Sequence, residues 1–139
     1  MKALLFSANQ YKTKIISLSD RPAGLKPEPV TNSERECRNC VVAFITFESG
    51  DNILVTSELI SAEIASMAKG TGVTCAVVVP FAHLSSKLTS REDAVEGLNL
   101  VENYLGGKVE TVVREHFGSH KELLLDIKGH PGAVRFREF

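Results

Sequence analysis

The sequence predicts an α/β domain: a mixed sheet layer with helices on one side, its elements in the order ββ(βα)(βα)ββ(β). Three observations carry this. The run Val73-Thr74-Cys75-Ala76-Val77-Val78-Val79 is apolar on both parities, as a central strand covered on both faces must be. Two segments with apolar residues at helical spacing, one before that run and one after it, each follow a strand. Strand-like pairs flank these two βα units. A chain of 139 residues has the length for one modest core.

The elements follow in order. Residues 2–8 and 12–18 read as two strands, with Asn9-Gln10-Tyr11 as a hairpin turn. Residues 20–36 are polar and hold Pro22, Pro27 and Pro29, so they read as a connector with no apolar period to bury. Residues 40–47 are β-branched and aromatic, a buried strand closed by Gly50-Asp51-Asn52. Residues 53–69 form the first helix. Thr56 or Ser57 is placed to cap it, Ile60, Ile64, Met67 and Ala68 form its buried face, and Gly70 ends it. After the central strand, Ser90 caps a second helix, with Glu92 and Asp93 in its positive first turn. Ala94, Leu98, Val101 and Leu105 make its buried stripe, and Gly106-Gly107 stops it. Strands are expected at 108–114 and 122–128, with a short last one at 133–137. There is no internal repeat.

Composition narrows the function. Apolar residues make up 43% and charged residues 24%, which is globular rather than disordered. Sixteen Lys+Arg against seventeen Asp+Glu give a formal charge of −1, so any RNA contact must be local rather than a bulk electrostatic hold. No apolar run approaches a membrane span, and the apolar start is too short for a signal peptide. The expected location is cytoplasmic, with no membrane partner. Three cysteines form no even framework, so a disulfide-stapled fold is not expected. Cys37 and Cys40 make a CxxC, but two soft ligands fall short of the four a structural zinc takes. Cys75 reads as a small buried thiol. No P-loop, GxSxG, HExxH or GxGxxG occurs, and no metal or cofactor is expected.

Two stretches look like neither core nor ordinary loop. One is Pro80-Phe81-Ala82-His83-Leu84-Ser85-Ser86, directly after the central strand, where α/β sheets place ligands. The other is Phe117-Gly118-Ser119-His120-Lys121, between the late strands. Side by side they would make a small polar cleft. Each residue also has a plainer reading. His83 suits a hydrogen-bonded structural imidazole, Lys121 an exposed strand edge, Gly118 a turn, and Ser85 and Ser86 turn caps. His116 and His130 read as structural or surface residues. No serine or cysteine shows a paired base and orienter in the sequence, which disfavours a covalent route.

These stretches resemble the N-terminal editing domain of archaeal threonyl-tRNA synthetases. The first stretch, the Phe-Gly-x-x-Lys pattern at Phe117–Lys121, and Lys128-Gly129-His130-Pro131 occur in that family's order and spacing. The resemblance covers nearly the whole chain. It implies a three-layer fold like that of D-aminoacyl-tRNA deacylases, a homodimer, and a single editing domain over 1–139 excised from a longer synthetase or editing protein. It implies hydrolysis of L-serine mischarged on threonine tRNA, assisted by the substrate's own ribose 2′-hydroxyl. Lys121 corresponds to the lysine at the reaction centre and His83 to its histidine. Pro80, Phe81, Ala82, Phe117, Gly118, Ser119 and His120 correspond to the substrate pocket around the seryl-adenosine end. His120 stands where some relatives have tyrosine, and Val134 where some have glutamate. The implied partners are threonine tRNA and the synthetase's catalytic and anticodon-binding domains. The competing readings are a non-catalytic module for an RNA 3′ end or a small ligand, a D-aminoacyl-tRNA deacylase, or a pure dimerisation domain.

Overall fold

The computed structural model describes residues 1–139. Six strands and two helices run in the order β1 (Lys2–Leu18), β2 (Glu34–Thr46), α1 (Ile53–Thr71), β3 (Cys75–Pro80), α2 (Arg91–Leu105), β4 (Thr111–Arg114), β5 (Ser119–Ile127) and β6 (Val134–Glu138), with a 3-10 turn at Ala82–Leu84 between β3 and α2. They form one sheet in the order β4-β3-β2-β1-β5. The βα units make β2, β3 and β4 parallel, and β1 pairs antiparallel with β2. Along its other edge β1 pairs with β6 in its first part and with β5 in its second.

The central run behaves as its two apolar parities require. Ala76 and Val78 face the helices, with Val41, Ala43 and Ile45 from β2 and Ile60, Ile64, Met67, Leu98, Val101 and Leu105 from α1 and α2. Cys75, Val77 and Val79 face the other way, with Val42 and Phe44. α2 packs closely on Phe47, just past β2, because Gly97 has no side chain. A Cβ there would lie 2.5 Å from the buried Phe47 ring.

The expected hairpin at Asn9-Gln10-Tyr11 is not formed; the first two expected strands are one. β1 pairs with β2 from Lys2↔Thr46 through Lys14↔Glu34 in one constant register, with only Asn9, opposite Asn39, unpaired. Asn9 acts instead as a bulge. Against β5 the register slips by one residue between Ala8 and Gln10, and again between Ile15 and Ser17. A bulge bends a strand and resets its parity without ending it. Leu4, Phe6 and Ala8 face away from the helices, and after the slip Tyr11 does too.

The sheet also curls. Tyr11 on β1 donates a hydrogen bond to Glu115, just after β4 (2.8 Å). With β3 and β2 between them, a flat sheet would hold β1 and β4 about 14 Å apart.

The caps shift as well. Asn52, not Thr56 or Ser57, caps α1 by accepting from the Val55 amide, and Gly72 in the left-handed region ends it. Thr56 and Ser57 are buried inside the first turns, where Thr56 bonds the Asn52 carbonyl and Ser57 the Gly97 carbonyl. Ser90 caps α2 as expected, accepting from the Asp93 amide.

The cysteines differ from expectation. Cys37 is joined to Cys75 by a disulfide between the neighbouring strands β2 and β3. Cys40, register partner of Cys75, is a free buried thiol whose pKa burial raises to about 11. Asn39, at φ 50°, separates the two residues of the CxxC and lets Cys37 and Cys40 join the same apolar cluster. No helix is long and apolar enough to cross a membrane.

Candidate active site

The carboxyl ends of the parallel strands β3 and β4 open at the same edge of the sheet, and each leads into one of the two stretches singled out above. Past β3, the Phe81 amide donates to the Ile45 carbonyl (3.0 Å), and Thr46 donates its hydroxyl to the Phe81 carbonyl. Fixed in this way, Phe81 joins a run of edge-to-face aromatic contacts. Ring centroids lie 5.6 Å apart for Phe6–Phe44, 5.1 Å for Phe44–Phe81 and 5.1 Å for Phe81–His83. His83 thus ends an aromatic ladder on the face away from the helices, with its imidazole exposed. Ala82 is exposed beside it, and Pro80 and Phe81 are half-buried. Ser85 serves the turn: it accepts from the Lys87 amide and donates to Glu48.

Past β4, the Glu115 amide donates to the Val78 carbonyl (2.9 Å), which extends the β3–β4 pairing by one residue. The turn back into β5 needs glycine at 118. Its φ is +87°, and a Cβ would lie 2.9 Å from Pro27 Cα. Phe117 packs toward the helix side under the Arg91 guanidinium, 5.9 Å from the ring centroid. Ser119 Oγ meets His116 Nδ1 at 2.8 Å, and His116 Nε2 meets the Glu28 carbonyl at 2.6 Å. His116, expected as a structural or surface residue, is buried, and it places Ser119 in a hydrogen-bonded chain that its sequence context did not show.

Lys121 is half-buried and not a free edge lysine. Its Nζ donates to the carbonyls of His116 (2.8 Å) and Ser119 (3.4 Å). Burial pulls the ammonium's pKa below its ordinary value, while the negative charges of Glu115 and then Glu28 oppose that pull. On β5 it pairs with Ile15 and so shares a face with Thr13 and Tyr11. His120, its exposed neighbour, alternates to the other face. His83 and Lys121 make no hydrogen bond to each other; they border the same curled face from the ends of β3 and β5.

Sequence reasoning missed the polar groups beneath these residues. Glu115 is 1% exposed and accepts from both Tyr11 and Thr13 on one oxygen, Oε1 (2.8 and 2.5 Å). Burial first, then the Glu115 charge, pushes the Tyr11 phenol pKa up, so the phenol keeps its proton and donates. From the proline-rich connector, Glu28 grips Arg114 with both oxygens and accepts from the Phe117 amide. A surface recess of about 620 Å³ lies by Met1, Lys2, Asp51, Leu84 and Lys87, and it contains neither His83 nor Lys121. Its charges are largely paired with one another, the Met1 ammonium with Glu48 and Asp51.

A curled mixed sheet in the order β4-β3-β2-β1-β5, with two helices on one face, is the D-aminoacyl-tRNA deacylase-like fold among α/β domains. A likeness in fold agrees: the c-Myc DNA unwinding element binding protein superposes with a TM-score of 0.70, covering 100% of this chain and 99% of that one at 12% identity. Residues 1–139 match the archaea-specific editing domain of threonyl-tRNA synthetase, and the chain belongs to that family. Similar proteins include a threonine–tRNA ligase of Staphylothermus marinus, 37% identical over 94% of this chain and 21% of that protein. A threonine–tRNA ligase editing subunit of Saccharolobus solfataricus is 35% identical over 76% of this chain and 27% of that one. The editing subunit of Aeropyrum pernix is 33% identical over 100% of this chain and 32% of that one. The chain thus spans between a fifth and a third of the length of these relatives.

Proposed function

We propose that this domain proofreads threonine tRNA by hydrolysing the ester of mischarged L-serine. The observation that carries the reading is Lys121: a half-buried ammonium on two backbone carbonyls, in the matching turn of an editing-domain family. Water attacks the ester carbonyl with help from the adjacent ribose 2′-hydroxyl. Lys121 stabilises the charge developing on the carbonyl oxygen, which a cation out of bulk water does well. His83, held at the end of the aromatic ladder, keeps the adenosine end in register. Pro80, Phe81, Ala82, Gly118 and Ser119 surround the substrate, and Phe117 and His120, whose side chains turn away from the Lys121 face, contribute through backbone. Selection works by size. A synthetic site rejects an amino acid lacking one methyl by only about 1–3 kcal/mol, so a second, tighter hydrolytic site is needed. The domain acts beside the catalytic and anticodon-binding domains of a threonyl-tRNA synthetase, in the same chain or in a partner, and in the cytoplasm. It works as a homodimer through the apolar face of β1 and β6.

The test is single-turnover deacylation of seryl and threonyl threonine tRNA. Lys121→Met keeps the stem and removes the charge. Loss of the seryl rate by two to three decades is expected, about 2.7–4 kcal/mol. Binding of a non-hydrolysable seryl-adenosine amide should change far less, because the contact strengthens as charge develops. Deacylation at the parent rate by Lys121→Met would remove Lys121 from the reaction.

A further inference from the structure

Glu115 is a buried carboxylate with no arginine or lysine in hydrogen-bond contact. The nearby Arg114 is taken by Glu28, Nη1 to Oε2 at 2.9 Å and Nη2 to Oε1 at 2.6 Å. Tyr11 and Thr13 both donate to one Glu115 oxygen; the other, Oε2, takes no hydrogen bond from the protein and is not fully sealed from solvent. Burying a carboxylate on such terms costs stability unless a positive charge faces it. The cation on that face is Lys121, whose Nζ sits on the carbonyl of His116, the residue next to Glu115.

On the reading that Lys121 is the catalytic cation, we infer that Glu115 is its positioning residue: held on one oxygen by Tyr11 and Thr13, it presents a fixed negative charge that anchors the ammonium beneath the reacting carbonyl. Each part has a structural cause. The bulge at Asn9 resets β1 so that Tyr11 and Thr13 reach inward. The backbone bond from Glu115 to Val78 sets the carboxylate at the end of β4. The curl of the sheet closes the distance between them. Neither hydroxyl neutralises the charge, so it remains to act on Lys121. Two half-buried backbone carbonyls orient an ammonium but do not offset its desolvation, and the direction of the Glu115 effect on Lys121 is the one this role requires.

Several groups face Lys121. Glu115 and His116 come from the β4–β5 turn, Glu28 from the connector with Arg114 as its partner, and Tyr11 from β1. Glu28 is already paired, which leaves Glu115 as the charge whose removal Lys121 should register most. The sign is definite. Losing a nearby negative charge makes the ammonium easier to deprotonate, so activity that needs a protonated Lys121 should fail at lower pH.

The experiment is the pH–rate profile of single-turnover seryl-tRNA deacylation, with spontaneous ester hydrolysis subtracted, for the parent, Glu115→Gln, Tyr11→Phe and Lys121→Met. Glu115→Gln is expected to slow the neutral rate about 10- to 100-fold and to move the alkaline limb at least one pH unit lower. Tyr11→Phe keeps the carboxylate, so its limb should stay within a few tenths of a unit of the parent's. A folded Glu115→Gln with an unmoved limb overturns the inference, whatever its rate. If Glu115→Gln does not fold, Glu115→Asp decides. Its charge is withdrawn by one methylene, so a smaller downward move is expected, and an unmoved limb counts against the role. Lys121→Met separates the two claims. If it deacylates at the parent rate, the functional reading fails; if it is inactive while Glu115→Gln keeps the parent limb, only the positioning role fails.

Discussion

Glu28 and Arg114 form a two-point ion pair across 86 residues of sequence, with N–O distances of 2.6 and 2.9 Å and side chains only 20% and 12% exposed. The pair ties the proline-rich connector to the end of β4. Glu28 adds a third bond from the Phe117 amide (2.9 Å), and its carbonyl meets His116. The connector is therefore a wall of the candidate site. Removing Glu28 leaves Arg114 largely buried beside a free amide. Glu28→Ala is expected to cost about 3 kcal/mol of stability, as breaking a buried pair does. Chemical denaturation measures it, and a loss under 0.5 kcal/mol would mean the pair is no better than a surface contact. Burial alone would raise the Glu28 pKa, but the bonds from Arg114 and Phe117 outweigh it and hold it below the ordinary value. This share of stability is present above the unfolded carboxylate range and fades as pH falls through the folded value.

A second acid-sensitive point lies just past the carboxyl end of β2. The Ser85 hydroxyl first, and the Met1 ammonium second, hold the Glu48 carboxylate down at about pKa 2. An unfolded glutamate titrates at about 4.3. The folded pKa is the lower, so the stabilisation is complete above the unfolded value and is lost between about pH 4.3 and 2. Glu48→Gln should flatten the acid limb of a stability–pH curve in that window. Parent and variant curves that stay parallel from pH 5 to 2.5 would show that Glu48 contributes nothing there.

Much of this architecture is legible in the sequence, for identifiable reasons. Val73–Val79 announces a doubly covered strand because no polar residue interrupts either parity after Thr74. Ser90 announces a cap because acidic residues follow it. The stretches around His83 and Lys121 stand out because polar groups cluster at the ends of apolar runs. The rest depends on long-range contacts. A bulge and a turn share Asn in their sequence signal, and only the unbroken partner β2 decides for the bulge at Asn9. Glu28 sits in a segment with no period, and Glu115 follows a short strand, so neither stands out from its neighbours. Their burial comes from Arg114, Tyr11 and Thr13, which lie 86 to 104 residues away in the chain. Cys37 meets Cys75 only because β2 and β3 become neighbours.

The face of β1 and β6 away from the helices carries a further prediction. Phe136 pairs with Leu4 and Val134 with Phe6, and Phe136 and Val134 are 50% and 53% exposed. Adjacent large apolar groups left this open on a short chain are expected to be covered by a second copy, as the homodimer reading requires. The parent should sediment at twice the chain mass at micromolar concentration, and Phe136→Asp should sediment at the chain mass with its circular dichroism unchanged. A parent at the chain mass throughout would remove the dimer.

The last prediction decides between two routes of hydrolysis. Ser119, His116 and the Glu28 carbonyl have the geometry of a nucleophile, a base and its orienter, at 2.8 and 2.6 Å. Their chemistry is weaker than that geometry. Nε2 must carry the proton it gives to the carbonyl, so Nδ1 accepts from the serine, as a base would. Taking that proton would create an imidazolium in a side chain only 6% exposed, facing a neutral carbonyl rather than a carboxylate. The charges around it are mixed, Arg114 and Lys121 positive and Glu28 and Glu115 negative. The carboxylate that orients and stabilises the imidazole of a serine triad is missing at Nε2. The hydroxyl's work is then to clamp the Phe117–Gly118 turn that leads into β5 and Lys121. Ser119→Ala should cost at most about one decade in the single-turnover rate, whereas loss of a true serine nucleophile costs about six. A loss of three decades or more, with the seryl-adenosine amide still bound and the thermal transition unchanged, would establish the covalent route and reduce Lys121 to its support.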